Sequence, residues 1–213
     1  SSLTQHSYQQ LEIEIQRLIP YIEAIHQAYP KQLISVDTFY ASVAEAALKA
    51  GAHIINDISC GGFDENILTV VAKNNAGYIG MHLTGGMDSM HKVEPREDII
   101  ATLISYFEAK KKLLSKYGIE HWVIDPGFGF GKTVEENFTI VKKMNELKKG
   151  GLPILLGASR KSSLYKTLGI ESKDALNATT IVNTVGLLKG AAIVRVHDVK
   201  EAAEIIKLLP YLQ

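Results

Sequence analysis

Apolar residues recur along this chain in two alternating rhythms. One is helical. Leu11, Ile15, Leu18, Ile22 and Ile25 fall three and four residues apart and predict a helix over 7–28, opened by a Ser7–Gln10 capping box and kinked or restarted at Pro20. The other is a short apolar run that ends on a polar residue. Leu33-Ile-Ser-Val-Asp37 is the first such run. His53-Ile-Ile-Asn-Asp57, Tyr78-Ile-Gly-Met81 before His82, Trp122-Val-Ile-Asp125, Pro153-Ile-Leu-Leu-Gly157 and Ala191-Ala-Ile-Val-Arg-Val196 repeat it. Helical stretches separate the runs: 41–50, capped by Thr38 and closed at Gly51; 64–75; 96–117; 134–149; one from Lys161; 174–189, capped by Asp174; and 199–209. Residues 83–95 read as a loop rich in Gly, Met and Asp.

Strands that alternate with helices imply a parallel sheet with right-handed crossovers. Short β-branched runs suit strands buried on both faces. A doubly wound open sheet and a (β/α)8 barrel both satisfy this pattern. The open sheet usually carries one dominant glycine-rich turn after its first strand. Here almost every strand ends on a polar group: Asp37, Asn56-Asp57, His82, Asp125, Ser159 to Lys161, and Arg195 with His197. A ring of such residues favours the TIM-type barrel. That fold needs eight strands and six are read here, so the expectation is one barrel domain over 1–213 whose first two strands lie N-terminal to this sequence.

Composition narrows the function. The chain has 213 residues, 46% of them hydrophobic and 22% charged, with formal net charge zero, which suits a globular domain and argues against general nucleic-acid or anionic-membrane binding. Cys60 is the single cysteine, so no intrachain disulfide forms and a reducing, cytoplasmic compartment is the natural reading. No signal peptide or long apolar span is present.

The strand ends fall into two chemical groups. Asp37, Asn56 and Asp125 offer acceptors to a flat polar heterocycle, and a carboxylate takes two parallel hydrogen bonds from an amidine-like edge. Lys161, Arg195 and His197 offer cationic donors to a phosphate or pyrophosphate. Plainer roles compete: Asp37 as a helix cap, Asp125 as a turn residue before Pro126, Asn56-Asp57 as a turn, and His197-Asp198 as a structural pair with Arg195. Gly127-Phe-Gly-Phe-Gly-Lys-Thr133 imitates a P-loop, but the required first glycine is Pro126. The histidines show no zinc-hydrolase spacing, Met81, Met87 and Met90 read as gap-fillers or loop residues, and Cys60 reads as inert.

Taken together, Ser35-Val-Asp-Thr38, Gly51-Ala-His-Ile-Ile-Asn-Asp57, Met81-His82, Asp125-Pro-Gly-Phe-Gly-Phe-Gly-Lys132 with Asn137, Gly157-Ala-Ser-Arg-Lys161 and Arg195-Val-His197 resemble the dihydropteroate synthase family, in family order over about 33–198. The resemblance implies a transferase of folate biosynthesis that joins 6-hydroxymethyl-7,8-dihydropterin diphosphate to 4-aminobenzoate, releasing pyrophosphate. It implies that Asp125 binds the amidine-like pterin edge and that Asn56 and Asp37 bind the far side of the ring. Ile58 and Met81 would wall the pocket, and Gly157 would line it. Lys161 would donate to the ring, and Phe130 and Ser162 would border 4-aminobenzoate. Arg195 and His197 would bind the diphosphate, Arg195 also stacking on the pterin. Mg2+ and a homodimer are implied as well. The family's Mg2+-binding asparagine and its Ser-Thr-Arg-Pro lid segment are not found here, and only Ser1-Ser2 would abut that second loop. Two other readings share the barrel: a catalytically incomplete pterin-binding paralogue and a corrinoid-type pterin methyltransferase. Ser159-Arg-Lys161 and Arg195-Val-His197 argue against the methyltransferase.

Overall fold

A computed structural model describes residues 5–83, 93 and 95–212 of the chain. The expected Ser7–Gln10 capping box falls outside the described side chains, and Ser1-Ser2, Met87, Met90 and most of the 83–95 loop fall outside the described residues. Strands and helices alternate as expected. The order is α1 (Gln5–Ala28), β1 (Ser35–Asp37), α2 (Ala41–Lys49), β2 (Ile54–Asp57), α3 (Asn66–Lys73), β3 (Gly77–Met81), α4 (Ile99–Ser115), β4 (Val123–Asp125), α5 (Val134–Lys142), α6 (Met144–Leu147), β5 (Leu155–Leu156), α7 (Ser162–Leu168), α8 (Leu176–Leu188), β6 (Ile193–Val194) and α9 (Val199–Leu208).

The chain divides into two compact units, Ser1–Met81 with Lys111–Trp122, and His82–Lys110 with Val123–Gln213. In the first, β1, β2 and β3 pair in parallel, with Val36 opposite Ile55 and Ile55 opposite Tyr78. Helices α1, α2 and α3 pack side by side. The apolar faces meet at Val43, Ala47, Ile55, Ile67 and Leu68, all fully buried, as expected of helices laid on a parallel sheet. In the second unit β5 pairs in parallel with β6, and Ile124 bridges Ile154 beside it. Ile140, Ile154, Leu156 and Leu164 form its buried interior. Helix α8 reaches β5 through Gly186, where a Cβ would overlap Leu156.

Helix ends depart from the local reading in four places. Thr38 does not cap α2. Its Oγ1 accepts from Tyr40 N–H at 3.2 Å, and the first helical N–H, of Ala41, donates at 2.8 Å to Asp64 from a later loop. Asp174 does not cap α8 either, because it sits in a 3-10 turn and the helix starts after Ala175 without a side-chain cap. The stretch 134–149 breaks at Lys143, whose φ of −108° ends α5. Pro20 lies inside an uninterrupted α1, where the exposed position lets water satisfy the carbonyl that loses its N–H partner. Helix α4 starts later than expected because Asp98 Oδ1 caps it, accepting from Ile100 and Ala101 N–H at 2.9 and 3.1 Å.

Candidate active site

Each strand delivers its polar residue at the carboxyl end. In the first unit Asp37 ends β1 and Asn56 lies near the end of β2, paired in register. Asn56 Nδ2 donates to Asp37 Oδ1 at 2.8 Å. Asn56 is 4% exposed, and its Oδ1 is buried with no hydrogen-bond partner among the described residues. A buried acceptor of this kind is costly unless a ligand donor or water meets it. Asp37 therefore acts as the acceptor for Asn56 rather than as a helix cap. Ile58 follows β2 half-buried, and Met81 ends β3 buried. Asp57 has a different duty. Its Oδ1 accepts from Ser59 N–H and Oγ–H at 2.8 and 2.7 Å, and its Oδ2 accepts from Gly61 N–H and Tyr78 O–H at 2.7 and 2.8 Å. The carboxylate thus shapes the turn in which Cys60 adopts a φ of 50°. Cys60 itself is fully buried, as an inert cysteine should be.

The second unit holds the charged groups. Asp125 ends β4 and is 8% exposed. Its Oδ1 accepts from Gly127 N–H at 2.7 Å, so the turn role is real. Its Oδ2 lies 3.9 Å from where a Cβ at Gly157 would sit, so Gly157 keeps that side of the carboxylate clear. Burial pushes the Asp125 carboxyl above its ordinary range, while the Gly127 amide and the charges of Lys161, Lys132 and Arg195 pull it back down. A carboxylate with one side left clear has room for two parallel hydrogen bonds from a planar donor edge.

Lys161 is the residue before α7. Its Nζ donates to Phe128 O and lies 4.2 Å from the Phe130 ring centroid, a cation–π contact. Burial lowers its pKa to about 8, with Arg195 adding to the fall and Asp125 opposing it. Ser162 opens α7, half-buried. Arg195 follows β6 on the exposed side, tied by its N–H to Leu156 O at 3.0 Å. His197 is exposed, and its Nδ1 lies 2.8 Å from Ser159 Oγ.

The glycine-rich turn after β4 is fixed by side chains from outside it, none of which the strand-end pattern signals. Lys132 is buried, with Nζ donating to Gly127 O at 2.9 Å, Phe130 O at 3.1 Å and His82 O at 3.4 Å. Burial, then Arg96, lowers its pKa to about 7. Asn137, fully buried on α5, accepts from Gly129 N–H at 2.7 Å and donates to Thr133 O and Ser163 Oγ at 2.8 and 2.9 Å. Thr133 and Glu136 form a capping box at the start of α5, a pattern legible as Thr133-Val-Glu-Glu136. The same Glu136 carboxylate pairs with the Arg96 guanidinium at 3.1 Å. His82, beside this turn, is buried edge-on to Tyr106, and burial with the Lys132 and Arg96 charges lowers its pKa to about 3, so its ring is neutral.

Parallel βα units with polar groups at the strand ends are the arrangement of an α/β barrel enzyme. The sequence profile of the family described as "Pterin binding enzyme" matches residues 1–197. Over 201 residues the chain is 40% identical to the dihydropteroate synthase of Synechocystis sp., spanning 93% of this chain and 69% of that protein. It is 34% identical to the Escherichia coli dihydropteroate synthase, spanning 93% and 71%. The Clostridium difficile dihydropteroate synthase, solved in the presence of pteroic acid, superposes with a TM-score of 0.88 at 34% identity, covering 100% of this chain and 77% of that one. The Yersinia pestis enzyme in a sulfonamide complex superposes at 0.89 with 29% identity, covering 100% and 75%. The chain belongs to the dihydropteroate synthase family. It is accordingly a transferase of small-molecule substrates, and its strands are βα units of that family's TIM-type barrel. No described helix is long and apolar enough to cross a membrane.

Proposed function

We propose that the strand-end residues divide the synthase reaction between them as follows. Asp125 takes the amidine-like edge of the dihydropterin, and Gly157 leaves it room. Asn56, through its unsatisfied Oδ1, and Asp37 take donors at the far side of the ring. Ile58 and Met81 supply apolar walls. Lys161 donates to the ring, and its stem, Phe130 and Ser162 border the 4-aminobenzoate. Arg195 and His197 hold the diphosphate.

The chemistry then follows from charge. The bond from the pterin methylene carbon to the diphosphate oxygen breaks, and the electron pair leaves with pyrophosphate. The dihydropterin ring delocalises the positive charge that develops on carbon. Arg195 and His197 stabilise the departing anion. The neutral arylamine nitrogen attacks the methylene carbon, and its surplus proton passes to solvent. No acid–base dyad is required. Mg2+ is the family expectation at the diphosphate. Among the described residues no group of three or more His, Cys, Asp and Glu could hold a metal ion, so no step is assigned to one.

The observation that carries this reading is Asp125, a carboxylate buried at a strand end and countered by Lys161, Lys132 and Arg195. The test mixes the full-length protein with pterin diphosphate, 4-aminobenzoate and Mg2+ and follows pyrophosphate. Release is expected, and Lys161→Ala and Arg195→Ala each lose most of it while remaining folded. Pterin binding without turnover would replace the synthase by a binding paralogue. Residues 1–213 are assigned to one barrel domain of a cytoplasmic protein. Ile181, Val185 and Leu188 on α8, with Ile206 on α9, expose an apolar stripe suited to a homodimer contact.

A further inference from the structure

Two consecutive residues of the turn after β5 are tied to two consecutive residues of the turn after β6. Ser159 Oγ meets His197 Nδ1 at 2.8 Å. Arg160 Nε and Nη2 donate to Asp198 Oδ2 and Oδ1 at 2.9 and 2.8 Å. The second rung is anchored independently. Arg160 holds a φ of 53°, its N–H donates to Thr179 Oγ1 at 3.0 Å, and its carbonyl accepts from Ser172 Oγ at 3.1 Å. A bidentate fork fixes both orientation and spacing, so the Arg160–Asp198 rung sets the register in which Ser159 meets His197.

The Ser159 hydroxyl is also held by the backbone. Ser159 is 6% exposed, and its oxygen accepts the His197 backbone N–H at 3.2 Å. The hydroxyl proton can then be given to Nδ1. A neutral imidazole that accepts at Nδ1 carries its own proton on Nε2. The exposed side of His197 is then a donor.

We infer that Ser159 is a positioning residue for the departing diphosphate, holding His197 as the Nε2–H tautomer with Nε2 turned to an anionic oxygen. The inference rests on the diphosphate role given to His197 above. It is tested by a double-mutant cycle in the full-length enzyme. Ser159→Ala is expected to lower kcat/KM for the pterin diphosphate by up to about tenfold, the effect of one neutral hydrogen bond. KM for 4-aminobenzoate should stay unchanged, and the substitution should have no further effect in His197→Ala protein. Nitrogen NMR of ring-labelled wild-type protein should show the His197 proton on Nε2. An equal loss from Ser159→Ala in the His197→Ala background would overturn the inference and leave the His197 assignment standing. A silent His197→Ala would overturn both. Should Ser159→Ala fail to fold, the wild-type spectrum decides alone, and a neutral ring protonated on Nδ1 sinks the idea.

Discussion

Asn137→Ala tests the claim that the Gly127–Phe130 turn is held from outside. The side chain is fully buried and makes contacts of 2.7, 2.8 and 2.9 Å. The losses are unequal. Thr133 O keeps another donor, the Asn137 backbone N–H at 3.1 Å, and the Ser163 hydroxyl can rotate. Gly129 N–H has no such substitute among the described residues and becomes the orphan, at about 1–3 kcal/mol. The weakened Ser163 contact and the space left by the amide add roughly 1 kcal/mol more. About 3 kcal/mol in a chain of this size lowers Tm by roughly 6–12 °C. The same turn carries Phe128 O, the acceptor for Lys161, so pterin affinity should fall with Tm. Thermal unfolding and pterin titration of the purified variant give both numbers. A Tm within about 1 °C of wild type, or a large Tm loss with full pterin affinity, would refute the reasoning.

Three further outcomes are expected. Lys161 is displaced from 10.5 to about 8, so between those values the unfolded chain holds a proton that the folded chain has released. Stability contributed by Lys161 therefore rises with pH across that window, while pterin affinity falls as the ammonium is lost; Lys161→Met should abolish both trends in parallel titrations. Gly127→Ala puts a side chain at a φ of 69° and a Cβ onto the His82 carbonyl oxygen, so Tm should drop and pterin affinity should be lost by calorimetry. Asp57→Asn replaces an acceptor of four donors by a group with one acceptor and one donor end, at about 2–4 kcal/mol, measurable by denaturant unfolding.

The strand ends were legible because the information is local. An apolar run that stops on Asp or Asn places that group at the carboxyl end of a strand whatever surrounds it, and Asp37, Asn56 and Asp125 sit where the pattern puts them. The supports were not legible because each is made by residues far apart in the chain. Arg96 meets Glu136 40 positions on, Arg160 meets Asp198 38 on, and Lys132 reaches back 50 to His82. Helix caps failed for the same reason. Thr38 and Asp174 have the right side chains, but Asp64, 23 residues beyond Ala41, supplies the acceptor at α2. Arg160 gives no sequence sign of its left-handed backbone, because the rung to Asp198 and the Thr179 contact hold it there.

The turn Gly127-Phe-Gly-Phe-Gly131 carries a consequence for inheritance. Its three glycines adopt φ of 69°, 82° and 56°. Every amino-acid replacement reachable by one base change in a glycine codon brings a Cβ into that backbone. Phe128 is sealed in the interior, and only Phe130 keeps a partly open side chain beside the Lys161 ammonium. Heritable variation within this turn is therefore channelled to a single codon, and lineages that differ in how they treat the arylamine should differ at Phe130 before they differ at its neighbours.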